Sequence, residues 1–178
     1  RLSPQPQDFD LSALLASIAA LHKVNTEARG VALRTDLPAQ PCIIRSDPVR
    51  VRQIIENLLS NAVKFTRQGH VALSLAQGAD DVTITVADTG SGIAADELER
   101  IFEPFYQAHP FLNRAHGGTG LGLSISKAIT ELHGGRIGFE APADGEGTVF
   151  YVLLPLAAAA ESSEDERPRV MIVEDDES

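Results

Sequence analysis

Three stretches of this 178-residue chain place polar side chains or bare backbone where chemistry would need them. The first is "ENLLSNAVKFT", residues 56–66. At about 100° per residue, Gln53, Asn57, Asn61 and Lys64 fall on one narrow helical stripe. Val51, Ile54, Ile55, Leu58, Leu59, Ala62 and Val63 form a broad apolar face elsewhere on the same helix. Asparagine is a poor helix former, so two on one stripe argue for a shared object; a solvated face is the plainer alternative. An amide oxygen can ligate a hard cation such as Mg²⁺, and a lysine ammonium can meet a phosphate oxygen. The second stretch, "DTGSGI" (88–93), follows a strand. Asp88 there can accept a hydrogen bond from an exocyclic amine, and Gly90 and Gly92 allow a tight turn against a flat ligand. Alone, D-x-G is a common turn. The third, "HGGTGLGLSIS" (116–126), sets Gly117, Gly118, Gly120 and Gly122 before a helix, where free amides can hold phosphate. It is not a GxGxxG match, and no GxxxxGK occurs, which excludes the Walker-type nucleotide fold.

The elements that must position these groups follow from periodicity and punctuation. Residues 1–9, with Pro4 and Pro6, read as a lead-in. Asp10 is expected to cap a helix carrying Leu11, Leu14, Leu15, Ile18 and Leu21, which Gly30 stops. "VALRTDL" (31–37) and "CIIRS" (42–46) read as strands. Asp47-Pro48 is a strong start for the asparagine helix, which runs to about Thr66. Strands at 70–77 and 81–88 form a hairpin, a short helix is expected near 95–102, and 103–119 is irregular. A helix over about 121–133 and strands near 135–141 and 147–154 close the domain. The order predicts an α+β two-layer sandwich, with helices on one face of a mixed, mostly antiparallel sheet.

Composition is that of a globular domain, with 43% apolar and 22% charged residues. The net charge of −10 is uneven: residues 161–178 hold eight carboxylates and two arginines. No basic footprint for nucleic acid exists. The single cysteine, Cys42, excludes an internal disulfide or a cysteine metal cluster and fits a reducing cytoplasm. No apolar run reaches membrane-spanning length. The chain begins at Arg1 without methionine. It is therefore expected to be a piece of a longer protein, with room upstream for an inner-membrane anchor.

In combination the motifs are more specific than singly. The asparagine helix "DPVRVRQIIENLLSNAVKFT", the "DTGSGI" loop, "FEPFYQ" (102–107) and "GGTGLGL" resemble, in order and spacing, the N, G1, F and G2 boxes of sensor histidine kinases. Those kinases share the Bergerat ATP-binding fold with gyrase and heat-shock chaperone ATPases. The resemblance covers about residues 8–156, from "FDLSALL" to the closing "GTVFYVLLP". It implies that ATP and Mg²⁺ are bound. Asp88 would take the adenine amine, with Gly90, Gly92 and Ile93 bordering its pocket and Phe65 lining the nucleotide side. Asn61 would hold the metal, with Asn57 beside it and Lys64 near the phosphates. Phe102 and Phe105 would anchor a lid over 103–119. Gly118, Thr119, Gly120, Leu121, Gly122 and Leu123 would wrap the phosphates. Arg114 in the lid is a candidate γ-phosphate partner, set against an equally plain solvated loop arginine. Gln107 stands where many members have an arginine.

The ATPase relatives carry a water-activating glutamate one turn before the metal asparagine. Here that position is Asn57, and Glu56 is rotated about 100° away. The resemblance therefore implies phosphoryl transfer to a histidine on an upstream dimerisation domain. None of His22, His70, His109, His116 and His133 has the flanking signature of that acceptor, so the fragment should bind ATP without autophosphorylating. His133 is expected to be structural. "AAAAESSEDERP" (157–168) reads as a linker, and "RVMIVEDDES" (169–178), with the acidic pair Asp175 and Asp176, resembles the start of a receiver domain. These features imply a hybrid sensor kinase that works with its receiver or a response regulator. The fragment is expected to be monomeric and the whole protein a homodimer. The alternatives are a GHKL-type ATPase or a catalytically silent partner-binding module.

Overall fold

The computed structural model describes residues 3–107 and 119–156. The elements run β1 (Gln7–Asp10), α1 (Leu11–Ala28), β2 (Val31–Asp36), β3 (Ile43–Ser46), α2 (Pro48–Phe65), β4 (Gly69–Gln77), β5 (Asp81–Asp88), α3 (Gly122–Leu132), β6 (Arg136–Glu140) and β7 (Thr148–Pro155). Five strands make one sheet in the order β2-β4-β5-β7-β6. The β2–β4 pair is parallel and the other pairs are antiparallel, which is the mixed α+β arrangement expected.

Strict alternation builds the sheet's inner face. Val82, Ile84 and Val86 on β5 are buried, as are Val71 and Leu73 on β4 and Val152 and Leu154 on β7. Against this face lies the apolar side of α2, where Ile54, Ile55, Leu58 and Leu59 are excluded from solvent. Leu11, Leu15 and Ile18 of α1 complete the same core. Among the described residues no helix is long and apolar enough to cross a membrane.

Three local expectations are corrected. Residues 7–10 are not a loose lead-in; β1 pairs antiparallel with β3 in a separate two-stranded sheet. Asp10 occupies the N-cap position of α1 but makes no side-chain cap bond; its Oδ1 accepts from Cys42 N at 3.1 Å, joining helix start to β3. Residues 95–102 form successive turns instead of a helix. Their backbone bonds span three residues: Glu97 N to Ala94 O, Arg100 N to Glu97 O and Glu103 N to Arg100 O. A segment this short gains little from helix propensity. The burial of Ile101 and the packing of Phe102 on Phe139 and Phe150 decide its path.

The start of α2 is held as its sequence suggests. Asp47 Oδ1 accepts from Val49 N at 3.0 Å and Arg50 N at 3.3 Å, and its Oδ2 accepts from Gln5 N at 3.0 Å. Burial pushes this carboxyl up. The three backbone N–H groups and the nearby His133 outweigh burial and hold it below the usual carboxylate range. The depressed folded pKa means that this contribution is complete above the unfolded value and is lost as pH falls through the folded one. Asp47→Ala is expected to cost about 1–2 kcal/mol in urea unfolding at neutral pH. The difference from the parent should shrink in acid. An equal difference at all pH values would show that the carboxylate's charge is not involved.

Candidate nucleotide-binding site

The site forms where α2 ends, β5 exits and α3 begins. Asp88 is the last residue of β5 and is buried. Its Oδ1 accepts from Gly90 N at 2.9 Å, and the Thr148 backbone N–H also faces the carboxyl. Burial raises its pKa, while these two donors partly oppose the rise. Asp88 is thus a sheltered carboxylate with its chain-side demand met by the backbone.

Glycine is required next to it. A Cβ on Gly90 would lie 2.5 Å from the Phe65 carbonyl oxygen and 3.0 Å from Asp88 Oδ1. The loop therefore lies flat against the end of α2. Gly92 has φ +70°, and a Cβ there would sit 3.2 Å from Gly147 O. Ile93 is half-buried and packs on the core.

Along α2, Asn57, Asn61, Lys64 and Phe65 are all half-buried, so the stripe is neither a solvated surface nor core. The Lys64 ammonium lies 5.4 Å from the Phe65 ring centroid. Together with Arg67, Gln68, Thr89, Gly90 and Ser91, these two residues line an open cleft of about 390 Å³. Asn57 is directed to α3: its Nδ2 donates to Gly122 O at 3.2 Å and to Ser126 Oγ at 3.1 Å. Glu56 points elsewhere, pairing with Arg52 at 3.4 Å.

Within the expected lid (103–119), Phe105 meets Gly120 just beyond its end. Phe105 N donates to Gly120 O at 2.9 Å. Gly120 has φ +71°, and a Cβ on it would press to 2.8 Å from the Phe105 carbonyl carbon. Phe105 itself is 74% exposed and adopts φ +65°, a backbone state that side-chain-bearing residues avoid. Phe102 is partly buried against the core, with the Lys127 ammonium 5.7 Å from its ring centroid. Thr119 Oγ1 accepts from Leu121 N at 3.4 Å, Leu121 precedes α3, Gly122 opens it and Leu123 packs inward. Arg114 and Gly118 lie outside the described residues, as do the proposed linker (157–168) and receiver start (169–178). His133 Nδ1 lies 2.7 Å from Ile129 O, a hydrogen bond to its own helix.

Three contributors stand outside the candidate residues of the sequence motifs. Thr148 is the register partner of Asp88 across β5 and β7. Gly147 touches both ends of the 88–92 loop. Ser126, fully buried, receives the Asn57 amide. Only the "GT" pair opening the last strand hinted at the first two.

A helix-covered sheet whose strand end, amide-bearing helix and glycine turn converge in this way defines an α+β ATP-binding domain. The chain belongs to the family described as histidine kinase-, DNA gyrase B-, and HSP90-like ATPase, which matches residues 46–158. Within it, the chain is of the histidine kinase type. It is 41% identical over 165 residues to the sensor histidine kinase AruS of Pseudomonas aeruginosa, covering 88% of this chain and 16% of that protein. It is 41% identical over 152 residues to the histidine protein kinase DivJ of Caulobacter vibrioides, covering 85% of this chain and 25% of that one. The chain thus spans a quarter or less of these relatives. Full-length ShkA in complex with AMPPNP superposes with a TM-score of 0.75 at 34% identity, over 89% of this chain and 32% of that one. The catalytic domain of histidine kinase ThkA superposes at 0.77 and 26% identity, over 86% and 97%.

Proposed function

We propose that this domain presents the γ-phosphate of Mg-ATP to a histidine on an upstream dimerisation domain, within a hybrid sensor kinase that also carries a receiver. Asp88 accepts the adenine amine, and Gly90 and Gly92 let the base lie against the loop. Gly118, Thr119, Gly120, Leu121, Gly122 and Leu123 take the phosphates, with Lys64 and Arg114 as their cationic partners. The bound analogue of the ShkA structure supports an adenine nucleotide as the ligand.

The donor set fits Mg²⁺. Among the described residues no group of three or more His, Cys, Asp or Glu side chains could cage a metal. Mg²⁺ keeps several waters and takes phosphate oxygens with few protein ligands, which suits one amide oxygen from Asn61. When bound, the ion neutralises charge on the phosphates.

The observation that carries transfer over hydrolysis is the state of Asn57. Its amide is no general base, and both its N–H bonds are committed to α3. Glu56 is held by Arg52 on another side of the helix and does not replace it. With Mg-ATP alone the chain is expected to release no phosphate in steady state. With a separate dimerisation domain added, label from γ-labelled ATP should appear on histidine. Sustained phosphate release without an acceptor would instead establish the ATPase reading. Binding without release or transfer would establish the silent module.

A further inference from the structure

We propose that Ser126 is a positioning residue of the nucleotide site, acting through Asn57. The role rests on the reading of the Thr119–Leu123 segment as part of the phosphate site. Asn57 reaches from the middle of α2 to the first turn of α3 and donates both N–H bonds of one amide, to Gly122 O and Ser126 Oγ. A backbone carbonyl can only accept. The Gly122 contact therefore fixes which way the amide faces, with nitrogen toward α3. Oδ1 is left as the one uncommitted polar atom of the side chain, and it borders Gly122: a Cβ there would lie 3.5 Å from it.

The latch thus joins the asparagine helix to the residue where the chain leaves the Gly120 turn. Its far side is rigid. Ser126 is 0% exposed, so water does not compete for its hydroxyl. Its carbonyl accepts from Thr130 Oγ1 at 2.7 Å, and Ser124 Oγ pins Leu121 O at 2.9 Å. Removing the Ser126 oxygen leaves one Asn57 N–H without its acceptor in a part-buried contact. The amide then has no single preferred setting, and the start of α3 loses its tie to α2.

Ser126→Ala isolates this effect, because alanine is smaller and a better helix former than serine. The expected result is an ATP affinity weakened about three- to tenfold, the range of one lost hydrogen bond. Affinity for adenosine, which has no phosphate to reach the turn, should stay within about twofold by competition. In ¹⁵N spectra the side-chain amide of Asn57 should exchange slowly with solvent in the parent and fast in the variant. Unchanged ATP affinity, or equal loss for ATP and adenosine, would overturn the role. An Asn57 amide already fast in the parent would refute the latch itself, whatever the nucleotide result. If the parent bound neither ligand, the nucleotide reading and the positioning role would fail together, and slow amide exchange would leave only a structural latch.

Discussion

Asp88→Asn is expected to weaken ATP binding by about two orders of magnitude without weakening the fold. The carboxylate can accept from Gly90 N on one oxygen and from an adenine amine on the other. An asparagine can keep its oxygen toward Gly90 only by turning its NH₂ to the amine, so that two donors face each other in a buried site. Turning it round leaves Gly90 N unsatisfied. Either arrangement strands a donor. The same substitution removes a carboxylate whose ionised form burial disfavours. A raised folded pKa means the fold gains from this group as pH falls and is burdened by it at neutral pH. The variant should therefore melt at or above the parent's temperature. In the parent, ATP affinity should decline as pH drops through the Asp88 pKa, beginning above the ordinary carboxylate range. In Asp88→Asn that decline should vanish. Calorimetric titration across pH reads both; an unchanged affinity would remove Asp88 from the adenine site.

What could be read from the sequence was what local patterning determines. The Asp47-Pro48 start and the 3.6-residue apolar period specified α2 almost to the residue. Alternation and a Gly78 turn specified the β4–β5 hairpin, and Gly30 at φ +72° ended α1. What escaped depends on partners distant in sequence. β1 is four residues long and exists through its pairing with β3 more than thirty positions away. The turns over 95–102 look helical in composition but follow Phe102 into its aromatic contacts. Residue type marked Asn57, Asn61 and Lys64 on one helix and Asp88 in a separate turn, and the resemblance joined them in one candidate site. It could not show that Asn57 spends its hydrogen bonds on α3, because the 65-residue and 69-residue separations to Gly122 and Ser126 are closed only by the fold.

The same long-range logic makes Gly147, among the described glycines, the one most sensitive to a single added methyl. It precedes β7 with φ +88°, and a Cβ on it would collide with the Asp88 carbonyl oxygen. The next atoms are also backbone: Asp88 C at 2.8 Å and Thr89 Cα at 3.0 Å. No rotamer change relieves such a contact, so Gly147→Ala must move β7 away from β5 or distort the 88–92 loop. Gly92 lies against Gly147 O, and Thr148 next in the chain faces the Asp88 carboxyl, so either response disturbs the proposed adenine pocket. The expected cost is about 2–4 kcal/mol in urea unfolding, combining overpacking with left-handed backbone strain. ATP affinity should fall further than the unfolded fraction explains. Gly145 provides the comparison. It has φ +77° but nothing within 4 Å of an added Cβ. Gly145→Ala should therefore cost only the backbone term, about 1 kcal/mol, and leave ATP binding intact. If the two variants were equally stable and bound ATP equally, the contact between Gly147 and the Asp88 strand end would have no part in shaping the site.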